Sequence, residues 1–359
     1  MCAGPKPPSP EAMTTLYKMF PFLIIILCAI VHVHCNGNRE TNRTELELRT
    51  LQDNPCNCYF QDSCGCICSR PISWSQFQLL PQNFKPCRGF TLALRGGQFH
   101  SFPGDYFYRI GNVKDFVLDI SRVAFQYLND PESESSPFNG VTFDVSAFIR
   151  MHEVNVVRRW NWAAMYWLTP TSQNAYCEVQ IVQSSVPVLQ SDFGRICQGA
   201  VTVVNVVSSG LIGLENHVFQ PFYKLTELDL SSNRLQDLRR SLFAYPARML
   251  EIINLANNNI RSLPNDMFSQ MPALQSVNLR GNPITNIDER TFRPIFRTVE
   301  IVGLESLPLT CDCKARWMKE PAQLCGANVF GLAEAICNGP TPFKGYSFFN
   351  DTLPKDLVC

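Results

Sequence analysis

Four stretches of the chain repeat one apolar frame at offsets of 24, 25 and 24 residues. Val204, Val206, Leu211, Leu214 and Phe219 are followed in register by Leu228, Leu230, Leu235, Leu238 and Phe243. Ile253, Leu255, Ile260, Leu263 and Phe268 come next, then Val277, Leu279, Ile284, Ile287 and Phe292. A fixed period in this range constrains the fold strongly. Each copy is one supersecondary unit that cannot bury its apolar face alone, so the copies must stack into a solenoid. The frame also carries one asparagine per copy, Asn233, Asn258 and Asn282, with Ser209 in the first. A buried amide costs about 1–3 kcal/mol unless it is hydrogen-bonded. Each repeat must bend sharply where its strand ends, which leaves inward backbone groups to satisfy. An amide has both donors and an acceptor for them. These asparagines are expected to be structural and to stack as a ladder.

The form L-x-x-L-x-L-x-x-N-x-L, complete over residues 225–235, resembles the leucine-rich repeat. The resemblance implies an α/β solenoid: a leucine-rich-repeat horseshoe with a parallel concave sheet and disulfide-rich N- and C-terminal caps. Weaker copies extend the array backwards. Leu92, Leu94, Phe99, Phe102 and Phe107 fit the frame, with Gly97 in the asparagine slot. Phe116 and Leu118 follow 24 residues later, and Val179 and Ile181 precede Val204 by 25. Residues 129–140 are polar and turn-rich and read as a loop insertion, after which Val154 and Val156 restart a strand. Val299 and Ile301 make the last strand. The expected organisation is a signal peptide at 1–39, a cysteine-rich flank at 40–89, the repeat array at 90–304 and a cysteine-rich cap at 305–359. Within the array, 129–178 is irregular and 201–292 regular.

Sixteen cysteines have different meanings in different compartments. The apolar run at residues 20–33, after Lys18, suits a signal-peptide core and is short for a membrane span. The expected product is therefore secreted and extracellular, with no membrane insertion once the signal is removed, and its cysteines are expected to pair. Asn42 and Asn350 head glycosylation triplets. Cys56, Cys58, Cys64, Cys66, Cys68 and Cys87 cluster before the first strand. Their pairing is open, and a zinc-bound cysteine set is the alternative to disulfides. Cys177 and Cys197 are expected to form a local bridge. Cys311, Cys313, Trp317, Cys337 and Cys359 resemble the cysteine-rich C-terminal flank of extracellular leucine-rich-repeat proteins. That resemblance implies the pairs Cys311–Cys337 and Cys313–Cys359. Cys325 is extra to the pattern and is read as either a free buried thiol or a bond to another chain.

Acidic and basic residues balance at 31 each, which argues against nucleic acid as a partner. The sequence contains no G-x-S-x-G, H-E-x-x-H or phosphate-binding glycine loop, and His100, His152 and His217 are scattered. No catalytic residue, cofactor or metal is assigned, and the chain reads as a binding protein rather than an enzyme. Two surfaces are candidates. One is the outward column of the concave sheet, read as Asn155, Gln180, Asn205, Asp229, Asn254, Asn278 and Glu300; it is either a binding face or merely solvated. The other is Arg158, Arg159, Trp160 and Trp162, with Tyr166 and Trp167 close by. These are residue types of interface anchors, or else the interior of a bulky repeat. The partner-binding candidates are thus Arg158, Arg159, Trp160, Trp162, Asn205, Asp229, Asn254 and Asn278. The overall layout has a long leader, a cysteine-dense flank, drifting early repeats and a final cap cysteine. It resembles the non-catalytic subunits of the secreted luciferases of decapod shrimp. The resemblance implies a hetero-oligomer in which a separate small catalytic chain oxidises a coelenterazine-type luciferin and this chain stabilises it. A general extracellular binding module, for adhesion, patterning or immune recognition, is the alternative.

Overall fold

Alternate side chains of each strand turn inward, and the strands stack edge to edge into one 13-stranded sheet. The computed structural model describes residues 55–80, 87–129, 135–319 and 336–346. The main path of the sheet runs through β1 (Cys56–Phe60), β2 (Ser63–Cys68), β3 (Gly89–Phe99), β4 (Asn112–Tyr127) and β5 (Thr142–His152). It continues through β6 (Tyr176–Val182), β7 (Val201–Val207), β8 (Glu227–Asp229), β9 (Ile252–Asn254), β10 (Ser276–Asn278) and β11 (Ile301–Gly303). Neighbours from β2 onward pair in parallel. Leu92, Leu118, Ile149, Val179, Val204, Leu228, Ile253, Val277 and Val302 therefore face one another in a single buried column.

The structure corrects four expectations. Leu92 is followed by Leu118 rather than Phe116, because Phe116 aligns with Phe90 one inward position earlier. The two rings stack at 5.6 Å, so the early repeats carry an extra aromatic layer. In the irregular region the sheet strand is β5, with Ile149 and Met151 inward. Val156 lies in the strand Asn155–Arg159, beyond the bend, and pairs with Phe125 of β4. Part of the expected surface insertion also returns to the core: Ser136, Pro137 and Phe138 are buried, and the Phe138 ring stacks on Phe107 at 4.9 Å. At the far end Val302 and Leu304, not Val299 and Ile301, take the inward places. Helix α2 (Glu289–Thr298) is the reason. Asp288 caps it by accepting from the Arg290 and Thr291 amides, and Val299 ends it by donating to the Ile295 carbonyl. The next strand therefore starts later.

One backbone conformation recurs where each sheet strand ends. Gly96, Arg122, Glu153, Gln183, Ser208, Ser232, Asn257, Gly281 and Ser306 all have φ between 51° and 92°. Each sits two residues after the second inward position of its strand. Beyond the bend, the two halves of the molecule part ways. In the N-terminal repeats the chain stays extended and pairs again, Phe99 with Phe125 and Phe125 with Val156. In the C-terminal repeats the asparagines take over that role. Asn233 Oδ1 accepts from the Ser209 and Leu211 amides at 2.9 and 3.1 Å. Its Nδ2 donates to the Val206, Leu230 and Ser231 carbonyls. Asn258 and Asn282 repeat the pattern, accepting from Leu235 and Ile260. Ser209 and Ser184 carry the ladder back by hydroxyls, the Ser184 hydroxyl accepting from Val154 N at 3.0 Å. Nine bends thus share one turn, closed by strand pairing at one end and by side-chain amides at the other.

The ends are covalently tied. The hairpin β1–β2 is bridged by Cys56–Cys68 and Cys58–Cys66, and Cys64 is bonded to Cys87 next to β3. All six flank cysteines are consumed as disulfides, which removes them as zinc ligands. Helix α1 (Trp74–Gln78) carries a capping box between Ser73 and Gln76 and lays Phe77 against Phe99 and Phe102. At the other end Cys311 is bonded to Cys337. Trp317 stacks on Phe296 at 5.5 Å and donates from Nε1 to the Ile287 carbonyl.

Candidate functional site

Parity fixes which side chains leave the concave face of the sheet. Residues one before and one after each inward position point outward, giving two main columns. The register places Asp119, Arg150, Gln180, Asn205, Asp229, Asn254, Asn278 and Gly303 in one of them. Asn155 and Glu300, which the sequence pattern put there, belong elsewhere: Arg150 and Gly303 hold those places. The second column contains Phe148, Glu178, Val203, Glu227, Ile252, Ser276 and Ile301. The sequence reading missed it, although each member sits two residues before a member of the first and the strand period of two implied it.

The concave face divides into three parts. At the N-terminal side charge is matched: Arg95 grips Asp119 with two bonds, Nη1 to Oδ1 at 2.9 Å and Nη2 to Oδ2 at 2.6 Å. Arg150 lies over the Phe148 ring at 4.7 Å. In the middle, Glu178 and Glu227 flank Val203, and Asp229 flanks Asn205. Burial pushes the Glu227 carboxyl above the ordinary range, and the neighbouring Asp229 and Glu178 charges push it further. Burial also raises Asp229, against hydrogen bonds from Ser231 and Asn254 that hold it down. Glu178 is raised by burial and partly restrained by Arg150. Towards the C-terminus the two columns carry no charged side chain, being Ile252, Ser276, Ile301, Asn254, Asn278 and Gly303. There the amides turn back onto their own strands, Asn254 Oδ1 accepting from Ala256 N and Asn278 Oδ1 from Arg280 N.

The other candidate cluster does not assemble on the surface. Trp160 and Trp162 are 5% and 0% exposed, stacked on each other at 4.9 Å, with Phe193 edge-on to Trp162 at 5.1 Å. Trp160 Nε1 donates to the Ser185 carbonyl at 2.7 Å. Both are core residues, which corrects their reading as surface anchors. A repeat stretched to the 31 residues between Leu118 and Ile149, and the 30 between Ile149 and Val179, has more interior to fill. Arg158 and Arg159 are exposed nearby, Arg159 donating to Gln190, and Tyr166 and Trp167 are also exposed. Of the other candidates, Asn205 is buried while Asp229, Asn254 and Asn278 are part-exposed.

Cys177 is bonded to Cys197, and Cys313 is disulfide-bonded to a partner outside the described residues. Asn42, Asn350, Cys325, Cys359 and the leader at 1–39 also lie outside the described residues. Among the described residues no helix is long and apolar enough to cross a membrane, and disulfides in this number fit an oxidising compartment.

Two family models, both described as leucine rich repeat, match residues 248–295 and 224–238. No curated protein matches the chain. The sheet, the bends and the asparagine ladder define a leucine-rich-repeat solenoid with cysteine-rich, disulfide-bonded caps at both ends. Leucine-rich-repeat solenoids are in general protein-binding modules that offer an extended concave surface.

Proposed function

We propose that the chain is a secreted, non-catalytic binding subunit that holds a protein partner on its concave sheet. The finer reading is that the partner is the small catalytic chain of a luciferase acting on a coelenterazine-type luciferin, as in oplophorus-luciferin 2-monooxygenase of decapod shrimp. The observation that supports binding is the concave face itself. Two outward columns run across successive strands, and in their middle the buried Asn205 amide has no hydrogen-bond partner. The finer reading is supported by the layout of the chain, and it rests on no catalytic residue here.

The test uses the disulfide-bonded chain produced by secretion. Mixed with a small shrimp-type luciferase chain, it is expected to co-elute in gel filtration and to prolong the light output of that chain on storage. Alone, it is expected to emit no more light with the luciferin than a denatured control. Separate elution with no gain in lifetime rejects the luciferase partner. Crosslinking in the native secretion then decides the broader reading, which fails if the chain crosslinks to nothing.

A further inference from the structure

We infer that the middle of the concave sheet is a docking site for one basic side chain of a protein partner, seated among Glu178, Glu227 and Asp229 and over Asn205. The inference rests on the reading of the chain as a protein-binding module and names the chemistry that the module recognises.

Asn205 is the observation that points to a ligand. It is 2% exposed, and neither Oδ1 nor Nδ2 has a hydrogen-bond partner. An amide buried in that state is costly, and most native proteins avoid it. No structural role explains it. Asp229, Asn254 and Asn278, in the same column, each accept a bond from the amide two residues on, and Asn205 does not. Its surroundings are set by register. Asn205 stands between Gln180 and Asp229. Val203, the preceding residue on the same face, pairs with both Glu178 and Glu227. The amide therefore lies on the outward face beside Asp229, with Glu178 and Glu227 on either side of the preceding outward position.

These carboxylates select a cation. Three carboxylates face one nearby cation, Arg150, and among the described residues no ion pair reaches Glu227 or Asp229. Burial raises all three carboxyls, a penalty that an incoming positive charge offsets. A bare metal ion does not fit, since no group of three or more acidic, histidine or cysteine side chains among the described residues is placed to hold one. Glu178 and Glu227 stand two strands apart, roughly 9–10 Å at ordinary strand spacing. That distance is measured between backbones, and the two glutamate side chains reach into it, so one guanidinium or ammonium entering between them contacts both. Asn205 Oδ1 then accepts from the cation, and Nδ2 is left to donate to a carbonyl of the partner backbone.

The test uses the full secreted chain and a fluorescent hexa-arginine peptide at low salt, with the hexa-citrulline peptide as the uncharged control. Binding is read by anisotropy and folding by thermal melting. The double variant Glu178→Gln/Glu227→Gln is expected to weaken hexa-arginine about tenfold, as loss of matched charge does elsewhere. Asn205→Leu is expected to weaken it by about fivefold while melting no lower than the parent, since it removes an unpaired amide. Asp62→Asn/Asp237→Asn, which removes two exposed carboxylates elsewhere, is expected to leave binding within about twofold. The inference is overturned if that control weakens binding as much as the concave variant. It is equally overturned if the concave variant binds like the parent, or if hexa-citrulline binds as tightly as hexa-arginine. The crosslinked native partner separates the two levels. If the partner is captured equally by parent and concave variants, the docking site is wrong and the binding module stands. If no partner is captured at all, both fall.

Discussion

Asn258 and Asn205 are the same residue type on opposite sides of one sheet, and replacing each by leucine separates their roles. Asn258 accepts from Leu235 N and donates to the Leu230, Leu255 and Ala256 carbonyls. Asn258→Leu orphans those backbone groups, and the expected loss is about 1–3 kcal/mol, read as a lower denaturation midpoint. Asn205→Leu orphans nothing, so its midpoint is expected to hold or rise. The first role was legible in the sequence, because a repeat period puts Asn233, Asn258 and Asn282 in one slot where only a structural need recurs. The second was not, because whether an amide is satisfied depends on neighbours contributed by other strands. The same neighbours set a pH dependence. The Glu227 carboxyl is raised by burial first, then by the Asp229 and Glu178 charges. A carboxyl raised on folding binds protons more tightly in the folded state, so its contribution favours folding at acid pH. That contribution is lost as pH climbs from the ordinary carboxyl range through the raised value. The charged groups that face it are Asp229 on its own strand, Glu178 two strands away on β6 and the more distant Arg150 on β5. Glu227→Gln is therefore expected to melt above the parent at neutral pH, with the difference closing as pH falls below the ordinary carboxyl range. A difference that grows on acidification reverses the sign and removes the account.

The strand ends are the elements on which the solenoid turns. Every repeat from Gly96 to Ser306 places a left-handed residue at the bend, so the turn is a property of the architecture and not of one residue type. At Gly281, φ is +68° and a Cβ would stand 2.4 Å from Asn257 Oδ1, the side chain of the previous bend. Gly281→Val thus joins backbone strain to a clash with the neighbouring repeat, and a loss of about 2 kcal/mol or more in unfolding free energy is expected. A midpoint within error of the parent contradicts it. The stretched repeat between Ile149 and Val179 gives the companion prediction. Trp162 is fully buried between Trp160 and Phe193, so Trp162→Ala is expected to cost about 3–5 kcal/mol, while Arg158→Ala stays within about 0.5 kcal/mol. Sequence spacing revealed the regular strands β7 to β10 because the 24- and 25-residue period holds across four consecutive copies of the whole apolar frame. It misplaced β4, β5 and β11, where Phe116, Val154, Val156 and Val299 offered equally apolar partners one or more positions out of register. Apolar alternation alone does not say which of two adjacent pairs enters the concave sheet. That is decided by what packs behind it, here the Phe90–Phe116 stack and helix α2.

Along the whole molecule, stability is shared unequally between two ways of joining the same repeats. From β3 to β5 neighbouring strands run 11 to 16 residues and pair on both sides of the bend, over a chain of phenylalanines from Phe77 through Phe102 and Phe107 to Phe138. From β8 to β11 the strands are three residues long, and the asparagine ladder supplies much of the remaining bonding between repeats. The serine rungs Ser184 and Ser209 mark the change. In a solenoid each repeat is held only by its neighbours, so the array opens where those interfaces are weakest rather than all at once. The C-terminal repeats are expected to lose amide protection first. Hydrogen exchange in a denaturant concentration below the main transition should reach the backbone of β8 to β10 while β3 to β5 remain protected. Asn258→Leu should widen the gap between the two regions, since it removes a rung from the weaker half and touches nothing in the stronger one. Simultaneous exchange of both regions would mean that the bend, common to all repeats, couples them more tightly than strand length divides them. The acidic middle of the concave sheet lies on β6 to β8, across this boundary, with Glu178 on β6, Asn205 on β7 and Glu227 and Asp229 on β8. A partner seated there bridges the two regions, so its binding should protect β8 and β9 beyond the residues it touches.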